Sequence, residues 1–336
     1  MVLHYLVPKA IWTALDLAYT RFNRYFVSSF IKSAEKAKIV YKQCSYSAGY
    51  TTREYGQENT KDYRCYIENK GVIISPFHDI SVFPVYSDAS NIVNMIVEIP
   101  RHSNSKIELS MSDKLNPLKH DIKDDKVRYV KNIFPFHGYP WNYGLIPQTF
   151  ESPNEKDRHT KLFGDDDPLD IIDIGNCIHP TGTIIRVKVL GCIALIDENQ
   201  TDWKIVAIDV NDDRAHQLND VNDVKSILPS LLKYSLEWFK LYKIPDGKPE
   251  NKFGLNGDVQ NKEFALEIIK DTHKLWQKLH SDESCWETHA CQNTTLKNKN
   301  TVTAEDSILL CDQNQHYLKA DKKALHVDNQ YYVLKD

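Results

Sequence analysis

Between residues 73 and 210 the chain passes through one β-branched stretch after another with no helical pattern between them. That succession constrains the fold more than any other feature. The stretches 73–74, 92–99 (IVNMIVEI), 171–174, 184–196 and 204–210 are each bounded by turn residues. Strands that follow one another without helices predict a closed or nearly closed β-barrel. Two amphipathic helices are expected after it. The spacing predicts one over 230–242, with Leu232, Leu236 and Phe239 on one stripe, and one over 263–279, with Phe264, Ile268, Thr272, Leu275 and Leu279 on another. The expected class is α+β, mainly β.

Charge divides the 336 residues unevenly. Residues 1–43 hold seven Lys/Arg against Asp16 and Glu35, a net +5 within a chain of net −4, which leaves −9 for the rest. Trp12, Leu15, Tyr19, Phe22, Phe26 and Phe30 recur there at helical spacing with basic residues between them. An amphipathic extension docked on the domain and a mitochondrial targeting segment share that pattern, and both readings stay open. No apolar run reaches the roughly 18–20 residues of a membrane span. An acidic main body is also a poor fit to nucleic acid. Seven cysteines, an odd number without a C-x-x-C pair, predict neither a disulfide framework nor a zinc site, and a reducing compartment. Beyond Asp282 the composition turns polar, with QNTTLKNKNT over 292–301. The expected organisation is a basic extension over 1–45, a catalytic domain over 46–282, and a weakly structured tail over 283–336.

The densest chemistry is Gly164-Asp165-Asp166-Asp167-Pro168-Leu169-Asp170. In an extended segment Asp165 and Asp167 point the same way, and Asp170 stands at the mouth of the next strand. Carboxylates crowded on one rim repel one another unless a cation lies between them. Hard oxygens without His or Cys suit Mg²⁺ or Mn²⁺. A hairpin turning over 198–201 brings Asp197 and Asp202 to one barrel end, with Lys204 on the side of Asp202. Glu98, then Lys106 and Glu108 on a common face, form a third group. Arg128, Tyr139, Tyr143, Tyr242 and Lys243 add cations and phenols. Each group alone also reads as turn chemistry, a solvated strand face or loop packing.

Taken together, the chain resembles the soluble inorganic pyrophosphatases of the magnesium-dependent OB-barrel class (family I), in their eukaryotic form. The resemblance rests on the D-x-D-P-x-D run Asp165 to Asp170 and on Glu98-Ile99-Pro100-Arg101, Lys106-Ile107-Glu108 and Asn142-Tyr143-Gly144. It also includes 197–204 and the run Tyr242-Lys243-Ile244-Pro245-Asp246-Gly247-Lys248-Pro249, and extends from about residue 50 to 279. It implies an OB-like closed barrel flanked by two main helices. The implied activity is hydrolysis of pyrophosphate to two phosphates by a multi-Mg²⁺ site, with a water bridging two metals as nucleophile. Asp165, Asp170, Asp202, Asp197 and Glu108 would then hold metal, and Asp167 would be the general base. Arg128, Tyr242 and Lys243 would hold the leaving phosphate, and Lys106 and Tyr143 the group under attack. Lys204 would join the catalytic set, with Glu98 and Tyr139 behind it.

The resemblance further implies two to four Mg²⁺ per site, Mn²⁺ as a substitute, Ca²⁺ as an inhibitor, a homodimer, and neither nucleic-acid nor membrane partners. Cytoplasm is the expected compartment, and the mitochondrial matrix the alternative. Two departures stand out: Asp213-Arg214 where the pattern has Pro after Asn-Asp, and His102 where relatives often carry Trp near the subunit contact.

Charge tests the idea independently. The seven carboxylates other than Asp166 in this set outnumber Lys106, Arg128, Lys204 and Lys243 by three. Such a pocket repels a phosphate anion until divalent cations enter. Two other classes compete. One is a non-catalytic OB-type binding module, such as a chromatin or scaffold subunit; a nucleic-acid-binding barrel should show a basic groove with stacking aromatics, whereas this rim is acidic. A metal-dependent phosphatase acting on nucleotides or phosphoesters should show a nucleotide motif, and no Gly-rich phosphate loop occurs.

Overall fold

The long strands are nearly continuous apolar runs because both of their faces are covered. The computed structural model describes residues 49–84, 90–312 and 325–333; the expectations for 1–45 lie outside the described residues. Five strands carry the site: β4 (Ile92–Ile99), β7 (Asn142–Leu145), β8 (Asp170–Asp173), β9 (Ile184–Asp197) and β10 (Gln200–Asp209). Their ladder runs β4–β7–β8–β10–β9 and returns to β4, so its two ends meet. The β8–β10 pair is parallel and the others antiparallel. Short strands β11 (Lys252–Phe253) and β12 (Gln260–Asn261) add to β9. A second sheet holds β1 (Tyr50–Tyr55), β2 (Arg64–Asn69), β3 (Val72–Ile74), β5 (Ile107–Leu109) and β6 (Leu118–His120).

Val187, Val189, Ala194 and Ile205 pack on one side against Ala265, Ile268 and Ile269 of a helix at Lys262–Ser281. Ile193, Leu195, Val206 and Ile208 pack on the other against Trp238 and Phe239 of a helix at Leu231–Leu241. These are the two expected helices, here α3 and α2. The sequence reading missed α1 (Val221–Ile227), whose N-cap Asp220 forms a reciprocal capping box with Asp223. Strand β7 lies so close to β4 that a Cβ at Gly144 would fall 1.9 Å from the Ile96 carbonyl oxygen, so only glycine fits.

Three expectations need correction. The hairpin is tighter than expected: Asp197 pairs with Gln200 around Glu198 and Asn199, at φ 47° and 68°. Positive φ at both central residues matches the twist of the strands it joins.

The described part of the stretch from 283, residues 283–312 and 325–333, is not weakly structured. It carries α4 (Ala304–Asp312), buries Cys311 against Tyr55, Tyr66, Ile73 and Leu115, and pairs Gln330 with Asn132. The Asp79 carboxylate accepts from the backbone N–H and the hydroxyl of both Thr294 and Thr295. Polar side chains anchor this segment, so its composition resembled that of a loose tail.

Finally, Cys177 is disulfide-bonded, whereas Cys65, Cys192, Cys291 and Cys311 are buried outside any disulfide. Among the described residues no helix is long and apolar enough to cross a membrane.

Candidate active site

One end of the strand ring opens into a cleft with a cavity volume of about 160 Å³. Every side chain singled out from the sequence lines it. Strand β4 contributes Glu98, β5 Glu108, β7 Tyr143, β8 Asp170, β9 Asp197, and β10 both Asp202 and Lys204. Loops supply Lys106, Arg128, Tyr139, Asp165 and Asp167, and the end of α2 supplies Tyr242 and Lys243. Residues separated by up to 145 positions converge because the ring brings strand ends to one rim.

The 164–167 loop is clasped by backbone. Gly164 N–H donates to the Ser152 carbonyl, Asp166 N–H to that of Glu151, and Glu151 N–H to that of Asp167, each at 2.9 Å. A Cβ at Gly164 would lie 2.3 Å from the Glu151 carbonyl carbon. Asp166 takes φ 73°, which turns its side chain outward while Asp165 and Asp167 both reach the cleft.

The cations divide the acidic ring. Lys204 pairs with Asp170 and Asp202, Lys243 with Asp197, and Lys106 with Glu108 and, at 2.9 Å, with Asp121. Tyr143 donates its phenol proton to Asp170, and Tyr242 lies 3.4 Å from Asp197 with its ring stacked on Trp238. Among the described residues no ion pair reaches Asp165, Asp167 or Glu151.

Sequence reasoning missed Asp121 and Glu151. Asp121 accepts from Lys106 and, at 2.8 Å, from Arg128, so one carboxylate aims both cations. No spacing rule marks it. Glu151 is buried at the end of an apolar stretch; its Oε1 accepts the Trp203 N–H at 3.1 Å, and its Oε2 is buried without a partner. Only its place in a hydrophobic context could have signalled it. With these two, the site's formal charge falls to −5.

Glu151, Asp165 and Asp202 offer oxygen atoms all within 4.8 Å of one another. The sequence reading placed Asp165 and Asp202 among five metal ligands that included Asp170, which here is held by Lys204 and Tyr143, and it left out Glu151. Crowding shows in the acidities. Burial, then Asp165 and Asp202, hold Glu151 well above the usual carboxylate range. Burial, then Asp202 and Asp167, do the same to Asp165. Burial, then Glu108 and Asp170, push Asp167 up to about 7. Burial also lifts Asp202 to about 7, against the pull of Lys204. Three carboxylates, two of them buried, with an orphaned oxygen and no His or Cys fit a hard divalent cation.

A sequence profile described as inorganic pyrophosphatase matches residues 95–277. An inorganic pyrophosphatase of Candida glabrata is 52% identical over 236 residues, 70% of this chain and 81% of that one. One of Homo sapiens is 48% identical over 250 residues, covering 74% and 85%. The solved structure of an inorganic pyrophosphatase from Schistosoma japonicum is similar at TM-score 0.74 and 39% identity, covering 84% of this chain and all of that one.

Proposed function

The chain belongs to the inorganic pyrophosphatase family, and from that premise we propose how its side chains divide the work. The protein hydrolyses inorganic pyrophosphate. The observation that carries the site assignment is the convergence of all the expected residues on one cleft whose carboxylates outnumber its cations. A polyanionic substrate cannot enter such a cleft alone.

Asp165, Asp202 and Glu151 form one cation position; Asp170 contributes to another, as do Asp197 and Glu108 once Lys243 and Lys106 turn to substrate. We read the cation as Mg²⁺. When bound, it neutralises phosphate charge and acidifies the attacking water. Asp167, near 7 and without an ion-pair partner, takes the proton from that water. Arg128, Lys243 and Tyr242 hold the leaving phosphate at one wall, and Lys106 and Tyr143 the phosphoryl group under attack. Lys204 keeps Asp170 and Asp202 apart and oriented. Glu98 accepts the Leu109 N–H at 2.7 Å and so fixes β5, which carries Glu108. Tyr139 packs between Tyr143 and Trp238. The chemistry is positioning and charge neutralisation in an in-line displacement.

The five-strand ring is read as the OB-like barrel, and 46–282 as the catalytic domain. The assembly is read as a homodimer and the compartment as cytoplasm. The test of the activity is phosphate release from pyrophosphate, with and without Mg²⁺, against ATP and a phosphoester. Release from pyrophosphate alone and only with Mg²⁺ supports the reading. Equal release from ATP or the phosphoester favours a general phosphatase, and none from any substrate favours a binding module.

A further inference from the structure

Asp166 is the one acidic residue of the 165–167 run that faces away from the cleft; its side chain is 48% exposed and meets a histidine on its covered side. The Nε2 of His289 lies 3.0 Å from its Oδ1, although 123 residues separate the two. A carboxylate can only accept, so Nε2 donates. The His289 side chain is only 12% exposed, with its ring edge-on to Phe150 at 5.6 Å and its Nδ1 2.9 Å from the Thr288 hydroxyl. The next residue is locked in place. Ala290 N–H donates to the Met111 carbonyl at 2.7 Å. The Ala290 carbonyl accepts from His78 Nε2 at 3.0 Å and Asn116 Nδ2 at 3.1 Å. Four residues on, the threonine pair grips Asp79.

We propose that the segment after α3 is a strap whose His289 positions the 165–167 loop through Asp166. Asp166 is a non-glycine residue at φ 73°, a conformation that needs outside support to persist. Its inner side is clasped by the backbone of 151–152 and its outer side by His289. Held from both sides, the turn keeps Asp165 and Asp167 aimed together into the cleft. His289 touches neither substrate nor cation, so it is a positioning residue. The inference rests on the reading that Asp165 and Asp167 act in pyrophosphate hydrolysis.

The test uses the full chain. His289→Leu keeps bulk against Phe150 but loses the donor, whereas His289→Gln places an amide N–H near the same point. H289L should lower kcat roughly tenfold, because small misplacements of reacting groups are costly. KM for magnesium pyrophosphate and the melting temperature should stay near wild type, and H289Q should recover most of kcat. From the other side, Asp166→Asn keeps an acceptor and tolerates the turn, so it should match wild type, while D166A should reproduce the loss. This second pair decides the matter if H289L does not fold. Wild-type kcat in H289L and D166A, or equal loss in H289L and H289Q, overturns the strap. A wild-type protein that releases no phosphate from pyrophosphate overturns the functional reading instead.

Discussion

Lys204 and Asp170 face each other in register across the parallel pair β8–β10, and the ammonium meets the carboxylate directly. The same ammonium reaches Asp202 two residues back on its own strand and the Tyr143 hydroxyl at 2.9 Å. One fully buried lysine therefore holds two carboxylates of the site, and burial alone would have driven it to lose its proton. Asp170 and Asp202 hold that proton on. Asp165, Asp167 and Glu151 form no ion pair with Lys204 and, together with Asp202, are left for a cation and for base catalysis.

Asp167→Asn separates the base from the ligands. Asparagine keeps the shape but takes no proton near neutrality. Turnover at saturating Mg²⁺ should fall by roughly 10²–10⁴-fold and recover in part at high pH, where the attacking water needs less help. A pH–rate profile of both proteins checks this, and near-wild-type turnover at neutral pH removes Asp167 from the role.

Glu151→Gln leaves a carbonyl oxygen to accept the Trp203 N–H, so the fold should survive. What it removes is a charge facing Asp165 and Asp202. Mn²⁺ binding without substrate, followed by the electron paramagnetic resonance of free Mn²⁺, should weaken roughly 10- to 100-fold at one position. Unchanged affinity would leave Glu151 only its hydrogen bond to β10.

Cation binding should depend on pH in a stated direction. Asp167 and Asp202 titrate at about 7 in the folded chain against an ordinary 3.8. A carboxyl raised in this way favours the fold only while protonated. The cation-free protein therefore loses that contribution as pH rises from about 4 through 7. Mg²⁺ replaces those protons, so its effect on melting temperature should be large near pH 8 and small near pH 5. Thermal melts with and without Mg²⁺ at both values measure it. Equal shifts would mean that the ion does not bind beside these carboxylates.

Ending the chain after Asp282 should destroy the fold rather than trim it. The cut uncovers Tyr66, Ile73 and Leu115 and strips partners from His78, Asn116 and the Asp79 carboxylate. The lost apolar cover and these lost hydrogen bonds, each about 0.5–1.5 kcal/mol, are large against a total stability of roughly 5–15 kcal/mol. Far-ultraviolet circular dichroism and melting would show it. A cut protein with native melting behaviour would return 283–336 to the status of an appendage.

The parts legible in the sequence were those with a period or a local spacing. The 3.6-residue stripes located α2 and α3 within two residues at each end, and β-branched runs located β4, β8 and β9. The D-x-D-P-x-D run and its companions led to every residue expected in the cleft. Short strands such as β5 (IEL) and β7 (NYGL) hold no β-branched run to mark them. Asp121 sits at its post through tertiary register alone, and Glu151 is marked only by the apolar stretch that precedes it. The segment after α3 failed to register because hydrogen bonds between polar side chains and backbone leave no apolar periodicity.

The strap has a consequence for how the protein comes into being. Synthesis proceeds from the amino terminus, and the cleft residues span positions 98 to 243. All of them have left the ribosome before His289, Ala290 and the threonine pair are made. The nascent chain therefore holds its full set of reactive groups for a time without the clamp that aligns them. Catalytic competence is acquired late, when the last stretch closes over a turn laid down more than a hundred residues earlier.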